Sequence, residues 1–238
     1  MSKPLPLFLI LSILVFHLLS PVAFGSLSPS EQQITELQKK YQQLHSLEFN
    51  FFQTTQNSGR TKQGTGNAVF YRLTGSKGPN NSQQGVMRWN YTGAQEQTII
   101  NDGVTLSIYT PEDKQLIISP AHDLETDITY AIFTGTKKLL DGFFAVPGDT
   151  LFLLNAPPKN LESILLTPRE PHPQIKRVQL WLTSRLVIER LIMEDHFGAV
   201  TELTFTDIRF NALQPGDQKT MQTLLQLNTA PGTEIIRQ

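Results

Sequence analysis

The sequence predicts a mainly β protein of the α+β kind: a large, strongly curved antiparallel sheet whose apolar concave face is covered by a few helices. Three observations carry this. From Leu47 onward apolar and polar residues alternate with a period of two over much of the chain. Turn-forming residues recur between those runs at hairpin spacing. One amphipathic helix stands ahead of the strands and short helical patches interrupt them, so the cover for an exposed apolar face comes from the chain itself.

Composition narrows the function classes. The chain has 238 residues, with 20 Lys+Arg against 21 Asp+Glu, a formal charge of −1 and only 17% charged residues. That balance excludes the broad basic field used for non-specific nucleic-acid binding. There is no cysteine, which removes disulfide scaffolds, thiol catalysis, Cys-ligated metals and an amino-terminal lipid anchor.

Residues 1–25 read as an export signal. Lys3 is the positive start, Leu7 to Leu19 the apolar core, and Ala23-Phe24-Gly25 the small-residue cleavage site. The apolar run is shorter than the ~20 residues a bilayer requires, so cleavage after Gly25 is expected, leaving residues 26–238 as one exported domain.

Ser28 and Glu31 form a capping box around Pro29, and Ile34, Leu37, Tyr41 and Leu44 give one apolar stripe, so a helix runs to about Ser46. A strand begins at Leu47, turns at Asn57-Ser58-Gly59, and returns from Gln63 to Leu73. Further strands are expected at Val86–Tyr91, Glu96–Ile100, Val104–Tyr109 and Lys114–Ile118, with Asp102-Gly103 suited to a type I′ hairpin. Asp123–Thr134 has helical spacing and Lys137–Phe144 is a weaker helix. Strands resume at Leu151–Leu154, Ser163–Thr167, Gln174–Leu182, Leu186–Met193 and Val200–Phe210. Asn211–Thr220 reads as a loop and Thr223–Leu227 as a last strand.

Reactive chemistry is sparse. The histidines lack metal-binding spacing, and there is no nucleophile elbow or phosphate-binding glycine loop. No catalytic residue, metal or cofactor is expected. Glu194-Asp195 reads as a solvated turn before Gly198, and Gly64-x-Gly66 as a bulge or bend. Arg72 is unusual: it shares a strand face with Ala68 and Phe70. Turned inward it needs acceptors, which helix-end carbonyls supply; turned outward, or at the strand end, it reaches water. Tyr71 and Val69 on the opposite face leave both readings open.

A series of segments is similar to one family. Gly64-x-Gly66 leading to Tyr71-Arg72, Gly85-Val86-Met87-Arg88-Trp89-Asn90-Tyr91, Ile99-Ile100-Asn101-Asp102-Gly103 and Tyr109-Thr110-Pro111 resemble the outer-membrane lipoprotein carriers of the Lol pathway (LolA type). Leu165-Leu166-Thr167-Pro168, Asp195-x-x-Gly198, Thr201-x-Leu203-x-Phe205 and Ala230-Pro231-Gly232-Thr233 continue the series. The resemblance implies an unclosed antiparallel β-barrel with a helical lid over an apolar cavity. It implies a monomeric periplasmic chaperone that takes lipidated proteins from an inner-membrane transporter to an outer-membrane acceptor. Arg72 matches the position that latches the lid, and an inserted stretch from Leu73 to Gln84 follows it.

The lining expected for acyl chains is then Phe49, Phe51, Phe70, Met87, Trp89, Leu106 and Ile108, the alternative for each being ordinary core packing. A second expectation is a regulatory module of the same fold, binding envelope lipid to signal stress. Loss of a carrier would strand lipoproteins at the inner membrane, whereas loss of a sensor would change signalling alone.

Overall fold

The computed structural model describes residues 27–77, 83–93, 96–121, 129, 132–133, 138–156 and 158–238. The expected export signal and most of the Asp123–Thr134 helix lie outside them, although Thr129, Ile132 and Phe133 are helical. Among the described residues no helix is long and apolar enough to cross a membrane.

The first helix, α1 (Pro29–Gln42), has the expected capping box: Ser28 Oγ accepts from Glu31 N–H, and Glu31 accepts from Ser28 N–H. Two long strands follow, β1 (Ser46–Asn57) and β2 (Arg60–Lys77). Ser58 and Gly59, both at positive φ, join them in a two-residue turn whose twist matches that of the strands. A meander continues through β3 (Gln83–Thr92), β4 (Gln97–Asn101), β5 (Thr105–Thr110) and β6 (Gln115–Pro120). After the one-turn helix α2 (Leu139–Gly142) come β7 (Phe143–Pro147), β8 (Glu162–Pro168), β9 (Arg177–Leu182), β10 (Ile188–Glu194) and β11 (Val200–Phe210). Helix α3 (Gln218–Leu225) and the short β12 (Glu234–Arg237) end the chain.

The twelve strands of the described residues form one sheet in the order β12-β6-β5-β4-β3-β2-β1-β11-β10-β9-β8-β7, and among them only the β12–β6 pair is parallel. β12 and β7 stand at its two ends, so the barrel is unclosed, as the resemblance implied.

Several local expectations are corrected. Leu151–Leu154 is not a strand; Phe152 instead folds over Trp181 and Ile192 on the convex face. The helix expected at Lys137–Phe144 is present as α2 (Leu139–Gly142) but stops short of its expected end, because Phe143 and Phe144 open β7 and pair with β8. Thr223–Leu225 belongs to α3 and Gln226–Leu227 is irregular, so no strand forms there, and that helix begins inside the segment read as a loop. Asp217 caps it, accepting from Lys219 and Thr220 N–H.

The β4–β5 connection is not type I′, since only Gly103 has positive φ there. Asp102 Oδ1 instead accepts from Val104 and Thr105 N–H. The two flanks of the inserted stretch, residues 73–77 and 83–84, continue β2 and β3, with Lys77 opposite Gln83, and residues 78–82 lie outside the described residues.

Glu194 is no solvated turn residue. It is buried in β10 and accepts from Lys176 Nζ at 2.6 Å and Arg177 Nε at 2.5 Å. Burial alone would raise its pKa, but the hydrogen bonds and charges of those two residues outweigh it and hold the carboxyl below the ordinary 4.5. A folded pKa below the unfolded one stabilises the fold above about pH 4.5, and that stability is lost as pH falls through the folded value. Glu194→Gln is therefore expected to lower stability at neutral pH and to flatten the acid side of the pH–stability curve. Urea unfolding followed across that range measures both.

Candidate functional site: a lidded concave face

Strand alternation sorts side chains onto two faces of the sheet. Odd residues of β1 and β3 and even residues of β2 point inward, so Phe49, Phe51, Phe70, Met87 and Trp89 are all buried on the concave side. Phe49 is the centre of an aromatic cluster, 5.4 Å from Trp89, 5.1 Å from Phe133 and 4.9 Å from Phe205, mostly edge to face. Leu106 and Ile108 share this side on β5, across from Asn101 and Ile99. They stand nearer the β6 edge, outside the main cluster, with Leu106 buried and Ile108 half-buried.

Gly64 and Gly66 make no bulge: β2 keeps register with β1 through both. They are small because rings lie over them, Tyr91 beside Gly64 and Phe51 beside Gly66.

The lid is α1 together with Ile132 and Phe133. Ile34, Leu37 and Tyr41 of α1 are at most 1% exposed and pack into the concave core. Among the described residues, five side chains tie the helix down. Gln33 Nε2 donates to Glu162 Oε2, Gln38 Oε1 accepts from Leu139 N–H at 2.9 Å, and Lys40 Nζ donates to Arg185 O at 2.7 Å. Tyr41 Oη accepts from Ile188 N–H at 3.1 Å, and burial pushes the Tyr41 phenol well above its usual range.

The fifth tie is Arg72. Its side chain lies inward with Ala68 and Phe70, only 7% exposed, and Nη1 donates to Gln42 O at 2.6 Å. Gln42 is the last residue of α1, where orphan carbonyls carry negative partial charge and a guanidinium is favourable. The guanidinium also lies 5.0 Å from the Phe70 ring centroid. Tyr71 faces the other way, under α3, where its hydroxyl donates to Gln214 O and accepts from Asp217 N–H, both at 2.7 Å.

Sequence reasoning named Arg72 and the strand aromatics but missed Gln38, Lys40, Phe133 and Phe205 as parts of the site. Phe205 was detectable, since it alternates with Thr204 and Thr206 as the named aromatics do with their neighbours. The polar ties of α1 have no local signal, because their acceptors and donors come from the distant residues 139, 162, 185 and 188.

Chemically, the arrangement is an aromatic and aliphatic surface covered by a helix held by packing and hydrogen bonds alone. Chains of apolar ligand can take the place of Ile34, Leu37 and Tyr41 if α1 moves away.

Comparisons with known proteins agree with this geometry. The family model described as "Outer membrane lipoprotein carrier protein LolA" matches residues 42–218. An outer-membrane lipoprotein carrier protein of Chromobacterium violaceum is 22% identical over 82% of this chain and 85% of its own length. One from Chromohalobacter salexigens is 26% identical over 55% of this chain, and this chain spans 58% of that relative. Among solved structures, an uncharacterized conserved protein of Thermus thermophilus superposes with a TM-score of 0.51 at 10% identity. It covers 88% of this chain and 99% of its own, a likeness of fold alone. The chain therefore belongs to the LolA family of outer-membrane lipoprotein carrier proteins.

Proposed function

We propose that the protein is a periplasmic carrier that shelters the acyl chains of lipidated proteins on its concave face. It takes them from an inner-membrane lipoprotein-releasing transporter and passes them to an outer-membrane acceptor. It acts as a monomer, exported by a signal cleaved after Gly25, with no catalytic step or cofactor. The observation that carries this reading is an aromatic concave face covered by a helix whose last carbonyl is held by a buried arginine.

The energetics suit release as well as binding. At ~0.8 kcal/mol per methylene, a sixteen-carbon chain left in water costs on the order of 10 kcal/mol, so it cannot cross an aqueous space uncovered. Lifting α1 exposes Ile34, Leu37 and Tyr41, at roughly 5–9 kcal/mol for three such side chains. The closed lid thus competes with cargo at comparable strength, which keeps affinity within reach of an acceptor. Arg72 adds to the closed side of that balance and is the latch.

Mixing the purified protein with a triacylated lipopeptide should give a soluble one-to-one complex on gel filtration, stable without detergent. Recovery of the protein free of lipopeptide would overturn the reading.

A further inference from the structure

Strands β10 and β11 part along some of their length. β10 and β11 pair only from Arg190 opposite Thr204 to Glu194 opposite Val200, yet β11 runs on to Phe210. Both strands are irregular where they separate. β10 slips against β9 between Ile188 and Arg190, and β11 slips against β1 so that Asp207 and Ile208 together face Phe49. Asp207 sits at φ 51. An extra residue bends its strand and raises its twist, so two of them turn β10 and β11 away from each other.

A cavity of about 580 Å³ fills the gap, within the ~300–1,000 Å³ usual for small-ligand sites. Val187, Phe205, Ile208 and Phe210 form its apolar wall, and its rim is polar and charged, with Ser184, Arg185, Thr206 and Asp207 exposed and Glu189 beside them. Phe205 belongs to the concave core as well, edge-on to Phe49 and Phe133. Phe210 meets α1: the Tyr41 ring is 5.9 Å away, edge to face, and Lys40 Nζ is 4.6 Å from the Phe210 centroid. The cavity therefore joins exposed surface to the lid–sheet interface.

We propose that the gap between β10 and β11 is a second acyl-chain site, which takes one fatty chain of a lipidated protein while α1 is still closed. The proposal rests on the carrier reading. Apolar walls behind a polar rim suit a fatty chain with its ester or peptide end outside. Continuity through Phe205 makes such a chain an extension of the contacts available on the concave face. The site is also coupled to the lid. Lys40 and Tyr41 tie α1 to residues 185, 186 and 188 of the β9–β10 hairpin, and residues 183–185, 187 and 189 of that hairpin line the gap. A chain against Phe210 competes with both α1 side chains, so its binding favours the open helix.

The absence of cysteine makes the test direct. Thr206→Cys, at the exposed rim, is coupled to a bulky maleimide after folding, and Thr61→Cys, exposed at the far end of the β1–β2 hairpin, is treated alike. Stopped-flow uptake of a fluorescent triacylated lipopeptide is expected to slow about tenfold or more for the Thr206 adduct, roughly 1.4 kcal/mol in barrier. The Thr61 adduct should match the unmodified protein. Equal rates for the two adducts would overturn the gap site while leaving the carrier reading in place. Failure of the unmodified protein to take up any lipopeptide would overturn the carrier reading, and this proposal with it.

Discussion

Arg72→Leu should load lipidated cargo normally and release it roughly tenfold more slowly, or slower still. Arg72 Nη1 donates to Gln42 O at the end of α1. A hydrogen bond involving a charged partner contributes about 1.5–3 kcal/mol, and that contribution belongs to the closed, empty form. Leucine keeps an apolar stem against Phe70 but holds no carbonyl. The closed form is weakened, the loaded form is not, and the apparent affinity for cargo rises by roughly 10- to 150-fold. Such differences are expressed mainly in dissociation rates. The measurement is transfer of a fluorescent lipopeptide from loaded carrier to excess unlabelled wild type. Identical release from variant and wild type would remove Arg72 from the latch role. Arg72→Lys keeps the charge but loses the fixed fork of donors and should fall between the two.

Gly66→Ala should be the most destabilising single-methyl change in the long β1–β2 hairpin. A Cβ at Gly66 would lie 2.0 Å from Asn90 O and 2.8 Å from Phe51 Cζ. The oxygen is backbone in the paired strand β3, so relief requires the ladder itself to shift. Overpacking of this kind costs about 1–3 kcal/mol and sometimes more; at about 3 kcal/mol the midpoint of thermal unfolding falls by roughly 6–12 °C. Gly64→Ala is the control. Its Cβ would meet only the Tyr91 ring at 3.3 Å, which can tilt, and the change should be well under 1 kcal/mol. Differential scanning calorimetry of the two variants distinguishes them, and equal melting points would contradict the close-approach account.

Most of the sheet was legible because its signals are local. The Ser28–Glu31 box, the alternation through β1 to β6 and the turn at Asn57-Ser58-Gly59 depend on neighbours within a few residues. What failed depends on distant partners. Leu151–Leu154 has the composition of a strand, but no sheet edge receives it, and Phe152 contributes by covering Trp181. Phe143–Pro147 is apolar without clear period, and only its pairing with β8 decides for a strand.

The α3 helix had a readable signal, since Asp217 precedes Met221, Leu224 and Leu225 at helical spacing. That signal lay across a boundary drawn between loop and strand. Alternation could not decide which face of β2 is inner, because both Phe70 and Tyr71 are buried, one under α1 and the other under α3. Arg72 was thus identifiable as anomalous, while its partner on α1 was not.

In a carrier of this geometry, fatty chains lie on the concave face. The chain has two tryptophans: Trp89 in the concave core and Trp181 in the convex cluster under Phe152. Trp181→Phe and Trp89→Phe each leave one reporter, and a lipopeptide with brominated acyl chains quenches whichever ring it touches. Strong quenching of Trp89 on loading is expected, with little change at Trp181. A loaded complex that quenches Trp181, or leaves Trp89 as bright as before, would contradict that placement.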